Sequence, residues 1–120
     1  MRVAGFGFRK GAAVESLEAA LNAAGGATGL DAIATVEAKA ELIGRLGERL
    51  GLDVRLVPVA VLPSQPVRTT SEKSQHLFGT GSLSEAVALY VAGEGAELEA
   101  VRAISPDKMA TCAIANGGGR

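Results

Sequence analysis

The chain has one cysteine, one histidine, one tyrosine and no tryptophan in 120 residues. A single thiol, Cys112, excludes an intramolecular disulfide and fits a reducing compartment. It stands in an alternating apolar stretch, where a thiol is ordinarily an inert part of the core. With one Cys and one His there is no ligand set for a zinc-type site, and no acidic cluster supplies a carboxylate site. No metal and no cofactor are expected. Aromatics make up only 3% of the chain, so Ala, Val, Leu and Ile must fill the core. There is no basic excess either. A formal net charge of -1 argues against a general nucleic-acid binder, which needs cations to displace the counterions of phosphates. No apolar run reaches membrane-spanning length. The opening "MRVAGFGFRK" lacks the apolar stretch of a signal peptide. A cytoplasmic protein with no membrane or nucleic-acid partner is expected.

Glycine, by contrast, is abundant, at 16 residues, which implies tight turns or close backbone approaches. The chain is long enough for one core without staples. "RVAGFGF" reads as a buried first strand. A helix follows in "AAVESLEAALNAAGG", with Val14, Leu17, Leu21 and Ala24 at helical spacing and Gly25 and Gly26 as its stop. "DAIATV" is a second strand, and "EAKAELIGRLGERLG" a second helix with Leu42, Leu46 and Leu50 on one stripe. "DVRLVPVAVL" is extended, and Pro58 makes it an edge, a bend or two pieces. Pro63 to His76 is polar, either a mobile loop or a loop carrying a short helix from Ser71. A third helix runs from Ser82 to Ala92, with Leu83, Ala86, Val87, Tyr90 and Val91 as its apolar face. Ser82 and Glu85 fit a capping box, with the hydroxyl on the N3 amide and the carboxylate reaching back. "AELEAVRAIS" suits helix or strand; the flanking glycines and Pro106 favour strand. "MATCAIAN" is a last buried strand, and residues 116–120 form a Gly-rich flexible end. The order predicts a single α/β domain with a mainly parallel, mixed sheet.

Two glycine-rich segments are candidate ligand sites. In "GFGFRKG", Gly5, Gly7 and Gly11 surround Phe8, Arg9 and Lys10. A glycine turn between strand and helix offers backbone amides to an anion. Arg9 adds a fork for carboxylate or phosphate, and Lys10 a point charge. The spacing is neither a dinucleotide fingerprint nor a P-loop, and a plain turn with two solvated cations explains it equally well. In "FGTGSLSEA", Gly79 and Gly81 precede Ser82, although a capped helix start explains Ser82 and Glu85 without a ligand. Helix starts in an open α/β sheet share the carboxyl edge of the strands, where ligands bind, so both segments are read as lining one crevice. Thr35 and Lys39 of "ATVEAK" fall on the same edge. The only candidates for a general base are Glu85 and His76, and each has an ordinary structural explanation.

Taken in order, "GFGFRKG", "IATVEAKAE", "GTGSLSEAVALYVAG" and "SPDKMATCAIA" resemble the cobalamin-biosynthesis family of CobE and the CbiG C-terminal domain, from Arg2 to about Ala115. The resemblance implies a three-layer α/β/α fold and a role in building the corrin ring. It places Gly5, Gly7, Arg9, Lys10 and Gly11 in the first family motif and Thr35 and Lys39 in the second. Gly79, Gly81, Ser82 and Glu85 fall in the third, and Lys108 before the last strand. Phe8 stands where CbiG-type sequences often carry cysteine, which argues against thiol chemistry there. Full-length CbiG proteins open a δ-lactone on a cobalt-precorrin and release acetaldehyde, but they carry further segments. The expected partner is therefore a precorrin or corrinoid intermediate, a carboxylate-rimmed tetrapyrrole, bound by a carrier. The alternatives are a lactone hydrolase and an accessory subunit for a precorrin methyltransferase or another pathway enzyme.

Overall fold

The structure is a computed structural model that describes residues 1–117. Five strands, β1 (Arg2–Phe8), β2 (Ala32–Val36), β3 (Asp53–Val57), β4 (Glu97–Ile104) and β5 (Ala110–Asn116), form one sheet in the order β3-β2-β1-β5-β4. The mixed sheet divides evenly. β1–β2 and β2–β3 are parallel, whereas β1–β5 and β5–β4 are antiparallel. The antiparallel half follows from the tight turn between β4 and β5, where the Lys108 amide donates to the Ser105 carbonyl.

Four helices cover the sheet: α1 (Val14–Ala24), α2 (Ala40–Leu50), α3 (Glu72–Phe78) and α4 (Leu83–Ala92). Strand alternation sorts the core into two layers. Ala4, Phe6 and Ile33 pack with Leu17, Leu21, Ile43 and Leu46 of α1 and α2. Val3, Ala34 and Val36 pack on the other side with Leu62 and the α4 residues Leu83, Val87 and Leu89. This is the three-layer α/β/α arrangement expected. Among the described residues, no helix is long and apolar enough to cross a membrane, and no group of potential metal ligands occurs.

Two local details depart from expectation, and two choose among the alternatives the sequence left open. The second helix is broken: a 3₁₀ turn, Glu37–Lys39, precedes α2, because Lys39 leaves helical geometry at φ -112° and ψ 22°. Pro58 ends β3, and a second 3₁₀ helix, Val59–Ser64, follows. The polar segment resolves in favour of a helix, α3, with the Ser71 hydroxyl accepting from the Ser74 amide at 3.4 Å. On α4, Tyr90 is exposed while Ser84, Ala88 and Leu89 are buried. Leu83, Ala86 and Val87 of the expected face are buried in the core and Val91 packs against it; Tyr90 alone of that face is exposed. As for the expected tail, Asn116 still belongs to β5 and the Gly117 amide donates to Met1; residues 118–120 lie outside the described residues.

Cys112 is fully buried on β5, and burial pushes its thiol well up from the ordinary range. A thiol held neutral and covered reacts slowly. Folded protein is expected to resist a thiol-specific reagent over hours, with labelling appearing only as denaturant opens the domain. Rapid labelling of folded protein would show the opposite.

Candidate functional site

Within "GFGFRKG" the three glycines have separate duties. Gly5 and Gly7 lie inside β1 and face α4. A Cβ on Gly5 would meet the Ser84 carbonyl and stand 2.6 Å from the Ala88 amide nitrogen. On Gly7 it would stand 3.0 Å from the Thr111 hydroxyl and 3.4 Å from Leu83. Both are therefore contacts between sheet and helix. Only Gly11 belongs to the turn, at φ +91°, a conformation that favours glycine. Two of the turn amides are engaged by the chain itself: Arg9 donates to the Met109 carbonyl and Ala12 to the Arg9 carbonyl.

The start of α1 is likewise occupied by the chain itself. The Ser16 hydroxyl accepts from the Ala13 amide at 3.3 Å and donates to Asp107 at 2.6 Å. Asp107 also accepts from the Ser105 hydroxyl and the Met109 amide. The Ser105 hydroxyl, then Ser16 and the Met109 amide, hold this carboxyl below its usual range. The segment also presents its side chains to a ligand.

Those side chains border an open cleft of about 430 Å³, lined by Phe8, Arg9, Lys10, Gly11 and Ala12 on one side and Ala38, Lys39, Glu41, Leu42 and Arg45 on the other. It sits where β1 and β2 end, at the carboxyl edge of the parallel half of the sheet. Four of its residues are cationic. The one acid, Glu41, leans toward Arg45 at 3.5 Å, an exposed i,i+4 pair worth only a few tenths of a kcal/mol. Lys39 is the most constrained cation. Its ammonium donates to the Phe8 carbonyl and stands 4.7 Å from the centre of the Phe8 ring, a cation–π distance. Partial burial, and then the charge of Lys73 on α3, lower its pKa.

The remaining candidates lie apart from this lining. Thr35 is buried, and its hydroxyl donates to the Phe6 carbonyl at 2.8 Å, tying β2 to β1. Gly79 ends α3 at φ +72°. Gly81 lets the 69–70 backbone cross α4's approach, since a Cβ there would stand 2.9 Å from the Thr69 carbonyl. Ser82 caps α4 by accepting from the Glu85 amide at 3.3 Å. The second half of the expected capping box is absent. The Glu85 carboxylate accepts instead from the amides of Arg68, Thr69 and Arg102 and from the Thr69 hydroxyl. Burial alone would raise its pKa; the amides of Arg102, Thr69 and Arg68 and the Thr69 hydroxyl outweigh that and lower it. With both oxygens occupied, Glu85 is a brace joining α4, the 68–69 segment and β4. Lys108 lies exposed in the β4–β5 turn at φ 62°, and His76 is exposed on α3. The first glycine-rich segment thus serves both faces of the sheet: Gly5 and Gly7 pack under α4, whereas Phe8, Ala12 and Leu42 of the cleft lining pack with the α1 and α2 layer. Sequence reasoning missed Arg45 and Leu42. Their signal is the three-residue recurrence of Lys39, Leu42 and Arg45, which keeps them on one side of the second helix.

The family model for the cobalamin synthesis G C-terminus matches residues 2–115. The chain belongs to that family. Solved structures are similar to it as well. CobE, a protein from the cobalamin (vitamin B12) biosynthetic pathway, is 27% identical with a TM-score of 0.83, over 98% of this chain and 91% of that one. The cobalamin biosynthesis protein chiG from Agrobacterium tumefaciens is 30% identical with a TM-score of 0.71, over 98% and 99%. A proposed cobalamin biosynthesis protein G homolog from Sulfolobus solfataricus, 17% identical with a TM-score of 0.70, shares the fold over 95% of this chain and 36% of that longer one. No protein of curated function matches the sequence. The family places the chain in cobalamin biosynthesis.

Proposed function

We propose that the protein binds a carboxylate-rich tetrapyrrole intermediate, a precorrin or hydrogenobyrinic-acid-like ring, in the basic cleft and carries it between enzymes without altering it. The observation that carries this reading is the cleft itself, where Arg9, Lys10, Lys39 and Arg45 converge around Phe8 with only Glu41 opposing them. Such a ring presents acetate and propionate groups at its rim and an apolar face. Guanidinium and ammonium groups hold the rim by charge-assisted hydrogen bonds, and Phe8, Ala38 and Leu42 supply apolar surface beside them. The cations act locally, so the chain's slight net negative charge is no obstacle.

A hydrolase reading draws less support. A base must reach the proton of a bound water, and Glu85 is braced by four donors away from the cleft lining. A second reading, contact with a precorrin methyltransferase or another pathway enzyme, draws on exposed Val101 and Ile104 of the edge strand β4. The test is to titrate the protein with precorrin-5-type and later corrinoid intermediates while following the visible spectrum and assaying acetaldehyde. Saturable spectral change without acetaldehyde is expected. Arg9→Ala and Lys39→Met should each weaken binding by about 10- to 100-fold, a charge-assisted contact being worth roughly 1.5–3 kcal/mol, and should reduce its salt dependence. Acetaldehyde release would replace the carrier by an enzyme. Absence of binding to every intermediate would leave the contact reading.

A further inference from the structure

The side-chain hydrogen-bonding character of the cleft is one-sided. Arg9, Lys10, Lys39 and Arg45 are donors with no accepting atom. No Ser, Thr, Asn, Gln, Tyr or His belongs to the lining. The one side-chain acceptor, Glu41, is turned toward Arg45, and the Phe8 carbonyl already accepts from Lys39. A site that recognises amides needs acceptors for their N–H groups as well as donors for their carbonyls. This cleft provides a wall of donors, and Lys39 is held in place within it by the Phe8 carbonyl and ring.

We infer that the cleft selects rings whose side chains end in free carboxylates and rejects the same ring once those groups are capped as amides. The inference rests on the tetrapyrrole reading above and names its substrate class. A carboxylate brings only acceptors and a charge, and meets every donor of the wall. A carboxamide brings two N–H donors of its own against cations, and its carbonyl, although it can accept from them, carries no opposing charge. The step that takes the ligand from this protein is therefore of the amide-forming class, since each capped carboxylate removes a point of attachment. Lys39 strengthens the case: partly buried near the Phe8 ring and facing a second cation, Lys73, it gains more from an anion than from a neutral acceptor.

The experiment compares hydrogenobyrinic acid with the same ring after all its acid side chains are converted to carboxamides, by equilibrium titration of the full chain at two salt concentrations. The acid should bind more tightly, on the order of tenfold for each carboxylate that reaches the cleft. Its affinity should fall with salt while that of the amide stays flat. Arg9→Gln, which replaces a pure donor by a side chain that also accepts, should narrow the ratio. Equal affinity for acid and amide, or tighter binding of the amide, would overturn the selectivity while leaving the site in place. Failure of both rings to bind would overturn the selectivity together with the tetrapyrrole reading, and is distinguished by the flat titration of the acid itself.

Discussion

Gly5→Ala is expected to destabilise the domain by about 3 kcal/mol or more, and Gly5→Val to prevent it from folding. The added Cβ would meet two backbone groups of α4, the Ser84 carbonyl and the Ala88 amide. Neither can swing aside as a side chain would. The helix must lift off β1, and the layer built from Val3, Ala34, Val87 and Leu89 loses its packing. Against a total stability of about 5–15 kcal/mol for a domain, the change is large. Gly44 serves as the contrast. A Cβ there has no neighbouring atom within 4 Å, so Gly44→Ala should leave stability unchanged or raise it by up to about 1 kcal/mol through helix propensity alone. Thermal and urea denaturation of the variants measure both. A Gly5→Ala protein as stable as the parent would show that α4 does not depend on this contact.

Glu85 is the second position of large effect. Glu85→Ala removes one fully buried carboxylate and strands the amides of Arg68, Thr69 and Arg102 that donate to it. The cost expected is about 3–5 kcal/mol. Glu85→Gln keeps the volume but turns an NH₂ group toward donors, and should cost roughly 1–3 kcal/mol. The pH dependence follows from the lowered pKa of this carboxyl. A depressed pKa contributes stability that is complete above the unfolded-state value, about 4.3, and that disappears as pH falls through the lower folded-state value. The parent should therefore lose stability on acidification below about pH 4 more steeply than Glu85→Gln, whose side chain does not titrate. Parallel acid limbs for the two proteins would remove Glu85 from the account of acid unfolding.

These two residues also show where the sequence could be read and where it could not. The strand and helix order was legible because the apolar periods of two and of 3.6 residues are strong along most of the chain. The two faces of the sheet were not, since they depend on which side of β1 each helix crosses. "GFGFRKG" looks like one glycine-rich loop as a string. In space Gly5 and Gly7 are spacers under α4, and Gly11 alone shapes the turn. Ser82 and Glu85 have the spacing of a capping box, yet long-range backbone amides from the 68–69 segment and β4 capture the carboxylate first. No local pattern records such partners. Arg9, Lys10 and Lys39 could be singled out by charge and position. Arg45 carries a weaker signal, its three-residue recurrence with Lys39 and Leu42, which becomes legible only once the cleft lining is known. Tyr90 misled at one position of an otherwise correct stripe: Leu83, Ala86 and Val87 do face the core, and Ser84 and Ala88, which no apolar pattern marks, sit over Gly5 of β1.

The account places the ligand against the cleft between the Phe8–Ala12 turn and the Ala38–Arg45 segment, on the face of the sheet away from α4. The most direct measurement is a titration of isotopically labelled protein with hydrogenobyrinic acid, followed by backbone amide NMR shifts. Saturable shifts concentrated at Phe8, Arg9, Gly11, Lys39, Leu42 and Arg45, weakened in step by Lys39→Met, are expected. Shifts centred instead on Gly79 to Glu85, or unchanged by Lys39→Met, would contradict that placement.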